Sequence, residues 1–329
     1  MNVSVCIPTY NQAPYLEQAI RSAAGQSLAP VEIIVSDDAS TDETPAILHR
    51  LKAELPQLHV IRQRVNLGLC RNADQCLRAA TGDFVLRLDS DDLLHPTYVQ
   101  TLLQALLQHP DAGYAHAAVH EIDQHGAFLR PRQLFRKPGF QPGDDALRAA
   151  VKGYRVAANI LLFRRRALAQ VNYLTGRPNY AEDYHITTAI AAAGFGNVYV
   201  NEPLASYRVW VDAGRVRQRR KLDELTGVRR VFDELLQPAF QQRGWSLAPL
   251  NRSRASLASL HADCVSWPVY TDAEQEELAD ALRALSPTRR TNVLIWLHQH
   301  GFNALLARWA HLKATSRFTA KLWLLRLKA

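Results

Sequence analysis

The sequence contains no run of apolar residues that approaches the roughly 18 needed to cross a bilayer. No basic segment precedes the first strand-like run, Val3–Ile7, so we recognise no secretory leader and expect a cytoplasmic protein. The cysteines Cys6, Cys70, Cys76 and Cys264 lack the spacing of metal ligands and form no grouping with histidine. These absences argue against a membrane span, a zinc site and a disulfide framework.

Acidic residues are missing from residue 281 to the end, a stretch that carries nine Lys and Arg. Residues 1–214 hold 20 Lys and Arg against 21 Asp and Glu, whereas residues 215–329 hold 19 against 10. The chain has 329 residues, of which 47% are hydrophobic, enough for one large domain or two of ordinary size. The uneven charge indicates two regions with different roles.

Strand-like and helical patterns alternate over the first 120 residues, which predicts an α/β fold with a mostly parallel sheet flanked by helices. The predicted strands are Val3–Ile7, Val31–Val35, Leu58–Ile61, Phe84–Leu88 and Gly113–Val119. The predicted helices are Tyr15–Ala24, Thr44–Ala53, Arg71–Ala80 and Thr97–Gln108. The later predictions are a loop over Pro131–Pro142, strands at Asn159–Phe163, Val198–Val200 and Leu204–Tyr207, a helix over Glu182–Ala193, and helices from residue 216 to the end.

The cluster Asp89-Ser90-Asp91-Asp92 directly follows the predicted strand Phe84–Leu88. Carboxylates at the end of a buried strand are costly unless a cation lies between them. Side chains two apart on an extended segment point the same way, so Asp89 and Asp91 can converge on one ion. Oxygen ligands suit Mg²⁺ or Mn²⁺. The alternative is a solvated turn, with Asp92 near the start of the following helix.

Polar residues also follow two other predicted strands. Pro8-Thr9-Tyr10-Asn11 follows the first strand and Asp37-Asp38 follows the second. Ligands of parallel α/β sheets bind outside the carboxyl ends of the strands. We therefore expect these two clusters and the one at residues 89–92 to share one crevice.

Five motifs in order make residues 1–210 resemble the family 2 glycosyltransferases, which have the GT-A fold. The motifs are Val3–Asn11, Ile34–Asp42, Asn66–Leu69, Leu88–Asp92 and Ala181–Tyr184. The resemblance implies a GT-A domain over residues 1–215, with a nucleotide-binding half (1–120) and an acceptor-binding half (121–215). A basic helical region over residues 216–329 follows it.

The resemblance also implies roles for individual residues. Asp89 and Asp91 match the Asp-x-Asp motif, in which Asp91 ligates a Mn²⁺ or Mg²⁺ on the donor diphosphate and Asp89 holds the ribose or assists the metal. Further donor-binding residues implied are Pro8, Thr9 and Tyr10 around the base, Asp38 on the base, Ser90 within the motif, Arg71 on the base or diphosphate, and Arg208 near the phosphates.

Asp183 matches the family's catalytic base, which removes the proton of the attacking hydroxyl. The alternative for Glu182-Asp183 is an acidic pair favoured at a helix N-terminus. Trp210 occupies a position where the family commonly has His, so we expect it to pack or to close over the site. Ala39 replaces a frequent glycine, from which we expect a turn that avoids positive φ.

The end of the chain carries an apolar stripe at helical spacing, formed by Phe302, Leu305, Leu306, Trp309 and Leu312. Lys and Arg surround it, which is typical of a helix on an anionic membrane surface, here the inner face of the cell membrane. A helix that packs on the catalytic domain or on a partner subunit is the alternative, so a homo-oligomer stays open. No nucleic-acid recognition motif accompanies the charge.

The resemblance implies a metal-dependent, inverting glycosyltransferase, and the lack of an apolar run long enough for a transmembrane helix argues that it is non-processive. The donor is a nucleoside diphosphate sugar, UDP by default, and the acceptor is a sugar or lipid-linked hydroxyl in cell-surface polysaccharide or glycolipid synthesis. Two rival classes are a nucleotidyltransferase and a non-catalytic nucleotide-sugar-binding protein. The first usually has a Gly-rich basic loop after its first strand, where this chain reads Pro8-Thr9-Tyr10-Asn11-Gln12.

Overall fold

The computed structural model describes residues 1–176, 180–210 and 218–303. The chain forms two compact units. The first contains the described residues up to 210 together with 230–247, and the second contains residues 218–229 and 248–303. The expected α/β class is confirmed, and the first unit contains a ten-stranded sheet.

The first half of this sheet comes from regular strand–helix alternation. Its elements are β1 (Val3–Thr9), α1 (Ala13–Ala24), β2 (Glu32–Asp37), α2 (Thr44–Glu54), β3 (Leu58–Arg62), α3 (Leu69–Ala79) and β4 (Phe84–Arg87). The strands lie in the order β3-β2-β1-β4 and all pair in parallel. The carboxyl ends of β1, β2 and β4 therefore meet at one edge, as the sequence predicts.

The second half is less regular. Its elements are β5 (Leu93–Leu94), α4 (Tyr98–Gln108), β6 (Ala112–Ile122), β7 (Phe128–Arg132), β8 (Gly139–Gln141), α5 (Gly143–Ala150), β9 (Leu161–Arg164), α6 (Arg165–Gln170), α7 (Glu182–Ala192) and β10 (Gly196–Arg208). Strand β9 lies antiparallel between β4 and β6, while β10 runs parallel to β6. The predicted loop over Pro131–Pro142 is wrong at both ends, because β7 includes Pro131 and β8 precedes Pro142.

Both faces of the sheet are covered around β1, which explains the nearly continuous apolar sequence of that strand. Successive residues of β1 enter opposite cores, since Val5 and Ile7 join one apolar cluster and Cys6 joins the other. All seven residues of β1 are buried. Strands buried on both faces lose the alternation of polar and apolar residues seen in half-exposed strands.

The last predicted strands of this region, Val198–Val200 and Leu204–Tyr207, are one strand, β10. Its pairing with β6 shifts register around Pro203. Proline has no N–H to donate to a neighbouring strand, so it is found at such irregularities. The sequence pattern is broken there although the strand continues.

The expected helical region is confirmed over the described residues 218–303. Its helices are Lys221–Arg230, a π-helix at Val231–Leu236, Gln237–Gln242, Ala248–His261, a 3₁₀ helix at Ala262–Ser266, Asp272–Leu285 and Arg289–Gln299. The second unit has its own apolar core, which includes Leu225, Val265, Leu278, Leu282 and Ile295.

Most of the predicted amphipathic stripe, from Leu305 on, lies outside the described residues. In the part of the chain that the structure describes, no helix has the length and apolar character required of a membrane span.

Candidate active site

A cleft of about 400 Å³ opens at the carboxyl ends of β1, β2 and β4. Its lining residues are Pro8, Thr9, Tyr10, Gln12, Asp38, Asn66, Gly68, Leu69, Asn72, Asp89, Ser90 and Asp91. The three polar clusters predicted to share a crevice therefore all contribute to it. A cavity of this volume is in the range that holds small ligands.

Asp38 fixes the loop that forms the far wall of this cleft. One carboxylate oxygen accepts a hydrogen bond from the Leu67 backbone N–H at 2.7 Å, and the other accepts one from the Gly68 N–H at 2.9 Å. The Gly68 φ of 85° lies in the left-handed region, which glycine adopts at no steric cost. Asp38 is thus buried in a network that shapes the cleft, with its remaining lone pairs available to a ligand.

The turn after β2 contradicts one prediction. Ala39 has a φ of 61°, so the turn keeps the left-handed conformation that a glycine would adopt freely. Its neighbours hold it there, because the Ser40 N–H donates to Asp37 Oδ1 at 3.1 Å and the Ser40 hydroxyl accepts from the Asn11 N–H at 2.9 Å. The conformation costs about 1–2 kcal/mol for a residue with a Cβ. The turn geometry is therefore set by tertiary hydrogen bonds and not by the residue at position 39.

Thr9 brings an unsatisfied polar atom to the cleft. Its hydroxyl oxygen is buried and has no hydrogen-bond partner among the residues that the structure describes. Asn72, which the sequence analysis did not select, lies beside it and donates to the carbonyl oxygens of Ser36 at 2.8 Å and Thr9 at 3.4 Å. A buried unpaired hydroxyl is costly, so Thr9 is a ready hydrogen-bonding partner for a bound ligand.

Asp91 belongs to the cluster after β4 and lines the cleft. Burial and the charge of Asp89 raise its pKa, while a hydrogen bond from Trp210 lowers it. The Trp210 indole N–H donates to Asp91 Oδ2 at 2.8 Å, and its ring meets the Tyr15 ring edge-on with 5.2 Å between centroids. Trp210 therefore packs beside the cleft, and its indole N–H holds one oxygen of Asp91.

Asp92 has a different role from the suggested helix cap. Helix α4 begins at Tyr98, well beyond it, and Asp92 Oδ1 instead accepts the Arg208 backbone N–H at 2.8 Å. Burial, followed by the charges of Asp91 and Asp89, raises the pKa of Asp92 well above its usual value. Asp92 thus joins the end of β10 to the acidic cluster, a long-range contact that helix-capping rules do not predict.

The donor atoms near Asp91 fit a divalent ion that completes its coordination with ligand phosphates. In residues 1–176, 180–210 and 218–303, no three His, Cys, Asp or Glu side chains are grouped to hold a metal by themselves. Asp89 and Asp91 supply two carboxylates, and burial, followed by the charge of Asp89, raises the pKa of Asp91, an effect that a bound cation would oppose. Mg²⁺ is commonly bound by one or two carboxylates together with substrate phosphates.

Arg87 is the cation that the sequence analysis missed. It lies in the otherwise apolar strand β4, its side chain is 3% exposed, and it is within 4 Å of three carboxylates. Its guanidinium donates to Asp183 Oδ1 at 2.7 Å, to Asp89 Oδ1 at 3.3 Å and to Glu182 Oε1 at 3.4 Å. Burial opposes its charge, but Asp183, Asp89 and Glu182 together hold the pKa of Arg87 well above its usual value. One guanidinium therefore joins the cleft to the start of α7.

Asp183 is buried in the first turn of α7, two residues after Ala181, whose φ is 62°. Burial raises its pKa well above the usual value, and the charges of Glu182 and Asp89 add to this effect. Arg87 and a side-chain hydrogen bond from Asn159 act in the opposite direction. Since one guanidinium serves three carboxylates, its charge does not offset burial completely. Asp183 is thus a carboxylate with raised proton affinity, held in a fixed position.

Two predicted donor-binding residues are not among the residues that line the cleft. Arg71 is exposed on α3, and its role stays a prediction. Arg208 is buried, and its guanidinium donates to the carbonyl oxygens of Asp91 at 2.9 Å and Asp123 at 2.9 Å. It supports the backbone of the acidic cluster from behind. A direct contact of Arg208 with phosphates also stays a prediction.

A second cavity of about 510 Å³ lies at the amino end of β4, where Phe84 and Arg164 to Arg166 contribute to its walls. Arg164 donates to the carbonyl oxygens of Ala112, at 2.9 Å, and of His109, at 3.3 Å. Those bonds satisfy main-chain acceptors after α4. None of the five sequence motifs reaches this cavity, so the smaller cleft is the candidate active site.

Comparison with known proteins identifies the region that contains the first four of these motifs. The model of the family described as Glycosyl transferase family 2 matches residues 4–171. Chondroitin synthase of Escherichia coli is 32% identical over 127 residues, which cover 39% of this chain and 18% of that protein. A Campylobacter jejuni GalNAc(5)-diNAcBac-PP-undecaprenol beta-1,3-glucosyltransferase is 36% identical over 115 residues, which cover 35% of this chain and 36% of that protein. The alignments thus span much less than two thirds of either relative.

Solved structures extend the similarity in fold. Residues 1–349 of S. aureus TarS in complex with UDP-GlcNAc match with a TM-score of 0.65 at 19% identity, over 90% of this chain and 84% of that one. The Pyrobaculum calidifontis mannosyltransferase PcManGT, in complex with GDP-Man and Mn²⁺, matches with a TM-score of 0.54 at 22% identity, over 95% of this chain and 84% of that one. The shared fold confirms the GT-A architecture expected from the sequence.

Proposed function

Because this chain belongs to glycosyl transferase family 2, we propose that it transfers one sugar per encounter from a nucleoside diphosphate sugar to an acceptor hydroxyl, with inversion at the anomeric carbon. The observation that carries the proposal is the ion network of Arg87. It ties Asp89, at the rim of a ligand-sized cleft, to Asp183, a buried carboxylate of raised proton affinity. A donor site and a general base are the two parts that such a reaction needs.

The nucleotide occupies the cleft in this proposal. Pro8, Thr9 and Tyr10 line the base pocket, and the free Thr9 hydroxyl gains a partner from the ligand. Asp38 contacts the base through lone pairs that its two backbone hydrogen bonds leave unused. UDP is the first candidate, and the complexes of TarS with UDP-GlcNAc and of PcManGT with GDP-Man support a nucleoside diphosphate sugar.

Asp89 and Asp91 would hold the divalent ion, with Ser90 between them at the cleft wall. When bound there, Mn²⁺ or Mg²⁺ would supply Lewis-acid stabilisation of the charge on the leaving diphosphate. The Mn²⁺ complex of PcManGT supports this choice of ion. Arg87 forms an ion pair with Asp89 and so compensates its charge. Asp91 has no such partner in the part of the chain that the structure describes, and a metal ion would therefore stabilise Asp91 more than Asp89.

Asp183 acts as the general base. The acceptor hydroxyl gives its proton to the Asp183 carboxylate while its oxygen forms a bond to the anomeric carbon. The bond from that carbon to the diphosphate oxygen breaks, and the nucleoside diphosphate leaves with the bonding electrons. Burial makes Asp183 a stronger base, and Arg87 at 2.7 Å keeps the carboxylate ionised before the transfer. Attack from the face opposite the leaving group gives inversion.

The acceptor in this proposal is a sugar or a lipid-linked hydroxyl in the synthesis of a cell-surface polysaccharide or glycolipid. The Campylobacter jejuni relative, named for a PP-undecaprenol substrate, supports a lipid-linked acceptor. The chondroitin synthase relative supports a polysaccharide.

A donor screen tests the proposal. The full chain is incubated with UDP-, GDP-, dTDP- and CMP-linked sugars and with Mn²⁺, Mg²⁺ or a chelator, and release of the nucleotide is measured alongside thermal stabilisation. We expect one nucleoside diphosphate sugar to stabilise the fold and to release its diphosphate only with a divalent ion. Release of pyrophosphate from nucleoside triphosphates, incubated in a parallel series, would indicate a nucleotidyltransferase, and stabilisation by a nucleotide sugar without release of its nucleotide would indicate a binding protein.

A further inference from the structure

An exposed surface with apolar and basic side chains projects from β7 and the segment after it. Phe128 is 60% exposed, Leu129 is 51% exposed and Phe135 is fully exposed. Adjacent residues of a strand point to opposite faces, so exposure of both Phe128 and Leu129 shows that neither face of β7 is covered. Large apolar side chains grouped in this way mark an interaction site more often than isolated ones do.

The charge of this surface has one sign. Residues 124–143 contain no Asp or Glu and include Arg130, Arg132, Arg136 and Lys137. Glu121, on β6, pairs with Arg130 at 2.6 Å and Arg132 at 3.4 Å and is itself buried. Lys137 is exposed and has no ion pair among the described residues. Glu121 offsets one of the two charges of Arg130 and Arg132, which leaves a net positive charge, with that of Lys137, beside the three apolar residues.

The segment is fixed to the sheet. Arg136 donates to Asn197 Oδ1 at 2.6 Å and to Gln141 Oε1, and the Tyr199 hydroxyl accepts the Leu134 backbone N–H at 2.9 Å. Leu134 and Arg136, the residues on either side of Phe135, are therefore fixed to the sheet, while the Phe135 side chain is exposed. The apolar side chains are therefore presented by an ordered backbone, which lowers the entropy lost when they bind.

We infer that this surface, formed by Phe128, Leu129, Arg130, Arg132, Phe135 and Lys137, docks on an anionic lipid bilayer. Phenylalanine and leucine enter the boundary between headgroups and acyl chains, while arginine and lysine interact with the phosphates of anionic lipids. A protein partner would have to supply an acidic, apolar groove that fits both uncovered faces of β7. A bilayer accommodates them without such a fit.

The surface adjoins the candidate active site. The turn between β6 and β7 contacts Arg208, whose guanidinium donates to the Asp123 carbonyl at 2.9 Å and to the Asp91 carbonyl at 2.9 Å. Docking through β7 would thus bring the site close to an acceptor anchored in the same bilayer. That consequence rests on the proposed function, whereas the docking itself does not.

Vesicle co-sedimentation of the full chain tests the inference. We expect binding to vesicles that contain phosphatidylglycerol, and weak binding to pure phosphatidylcholine or at high salt. The variant Phe128→Ser, Leu129→Ser, Phe135→Ser should lower the partition coefficient at least about tenfold, since three apolar side chains lose their burial. Lys137→Gln should lower it roughly fivefold. Unchanged thermal stability in both variants shows that the fold is intact.

Two controls locate the effect. The matched variant Leu28→Ser, Val31→Ser, Leu260→Ser removes exposed apolar side chains elsewhere and should bind vesicles like the wild type. Trp309→Ser with Trp323→Ser probes the basic end of the chain. The inference is wrong if the wild type does not sediment with anionic vesicles, if the matched variant loses as much binding, or if only the tryptophan variant loses it. It is also wrong if light scattering shows that the wild type is a dimer, that Phe128→Ser, Leu129→Ser, Phe135→Ser makes it monomeric, and that this variant still binds vesicles like the wild type.

Discussion

Replacing Arg87 by methionine should destabilise the first unit in a pH-dependent manner. Methionine keeps an unbranched side chain in β4 but removes the only cation within 4 Å of Asp183 and Glu182 among the described residues. Both carboxylates are buried, with side chains 10% and 7% exposed, so water cannot replace the lost partner. Removal of one partner of a buried ion pair costs about 3–5 kcal/mol. We expect a loss of that size in the free energy of unfolding above pH 7.

The pH dependence follows from the direction of the pKa shift. Asp183 has a raised pKa in the folded chain, so it binds a proton more readily there than in the unfolded chain. Its contribution to stability is complete below its unfolded pKa, about 4, and is lost as the pH rises through the raised value. Without Arg87 the pKa of Asp183 rises further. The deficit of the variant should therefore be small near pH 4 and grow towards pH 8.

Urea denaturation at several pH values, followed by far-ultraviolet circular dichroism, measures this deficit. Arg87→Lys keeps the charge and should recover part of the stability at pH 8. Arg164→Met is the matched control, because Arg164 donates to carbonyl oxygens and to no carboxylate within the described residues. The decrease in the free energy of unfolding caused by Arg164→Met should be the same at every pH. A deficit for Arg87→Met below about 1 kcal/mol, or one equal at all pH values, would refute the ion-network account.

Three further changes test neighbouring parts of the site. Asp91→Ala should abolish the gain in UDP affinity that Mn²⁺ provides in titration calorimetry, and an unaltered gain would remove Asp91 from the metal site. Trp210→Phe removes a hydrogen bond that lowers the pKa of Asp91, so the midpoint of metal-dependent nucleotide binding should move to higher pH; a midpoint that stays or falls contradicts this. Ala39→Gly relieves a φ of 61° and should raise the free energy of unfolding by up to about 1 kcal/mol, whereas a loss would mean that the Ala39 methyl group contributes to packing.

The regular half of the fold was predictable because its signals are local. Strands β1 to β4 are short apolar runs separated by helical patterns, and the structure has them within about two residues of the predicted bounds. Ligands bind at the carboxyl ends of parallel strands, and this rule correctly predicted that three polar clusters lie in one cleft. Strands β5, β7 and β8 escaped prediction because they are short or contain proline, and their pairing depends on β6 and β10.

The partners of the charged residues were not predictable from local patterns. The acidic cluster needs a cation, and a metal ion was the expected one, although Arg87 stands two residues before Asp89. An arginine inside an apolar strand was the available signal. Its second partner, Asp183, lies 96 residues away, and no spacing rule connects them. Asp92 and Ala39 were misread for the same reason, since contacts with Arg208 and Asn11 determine their conformations.

The initial rate of nucleoside diphosphate release from the stabilising sugar donor, compared between the wild type and Asp183→Asn, tests the central claim most directly. Asparagine keeps the size and an oxygen acceptor for Arg87 but cannot take a proton. We expect nucleotide affinity to remain within about threefold while turnover falls about 10²- to 10⁴-fold, the usual contribution of a general base. Turnover by Asp183→Asn at the wild-type rate would contradict the account.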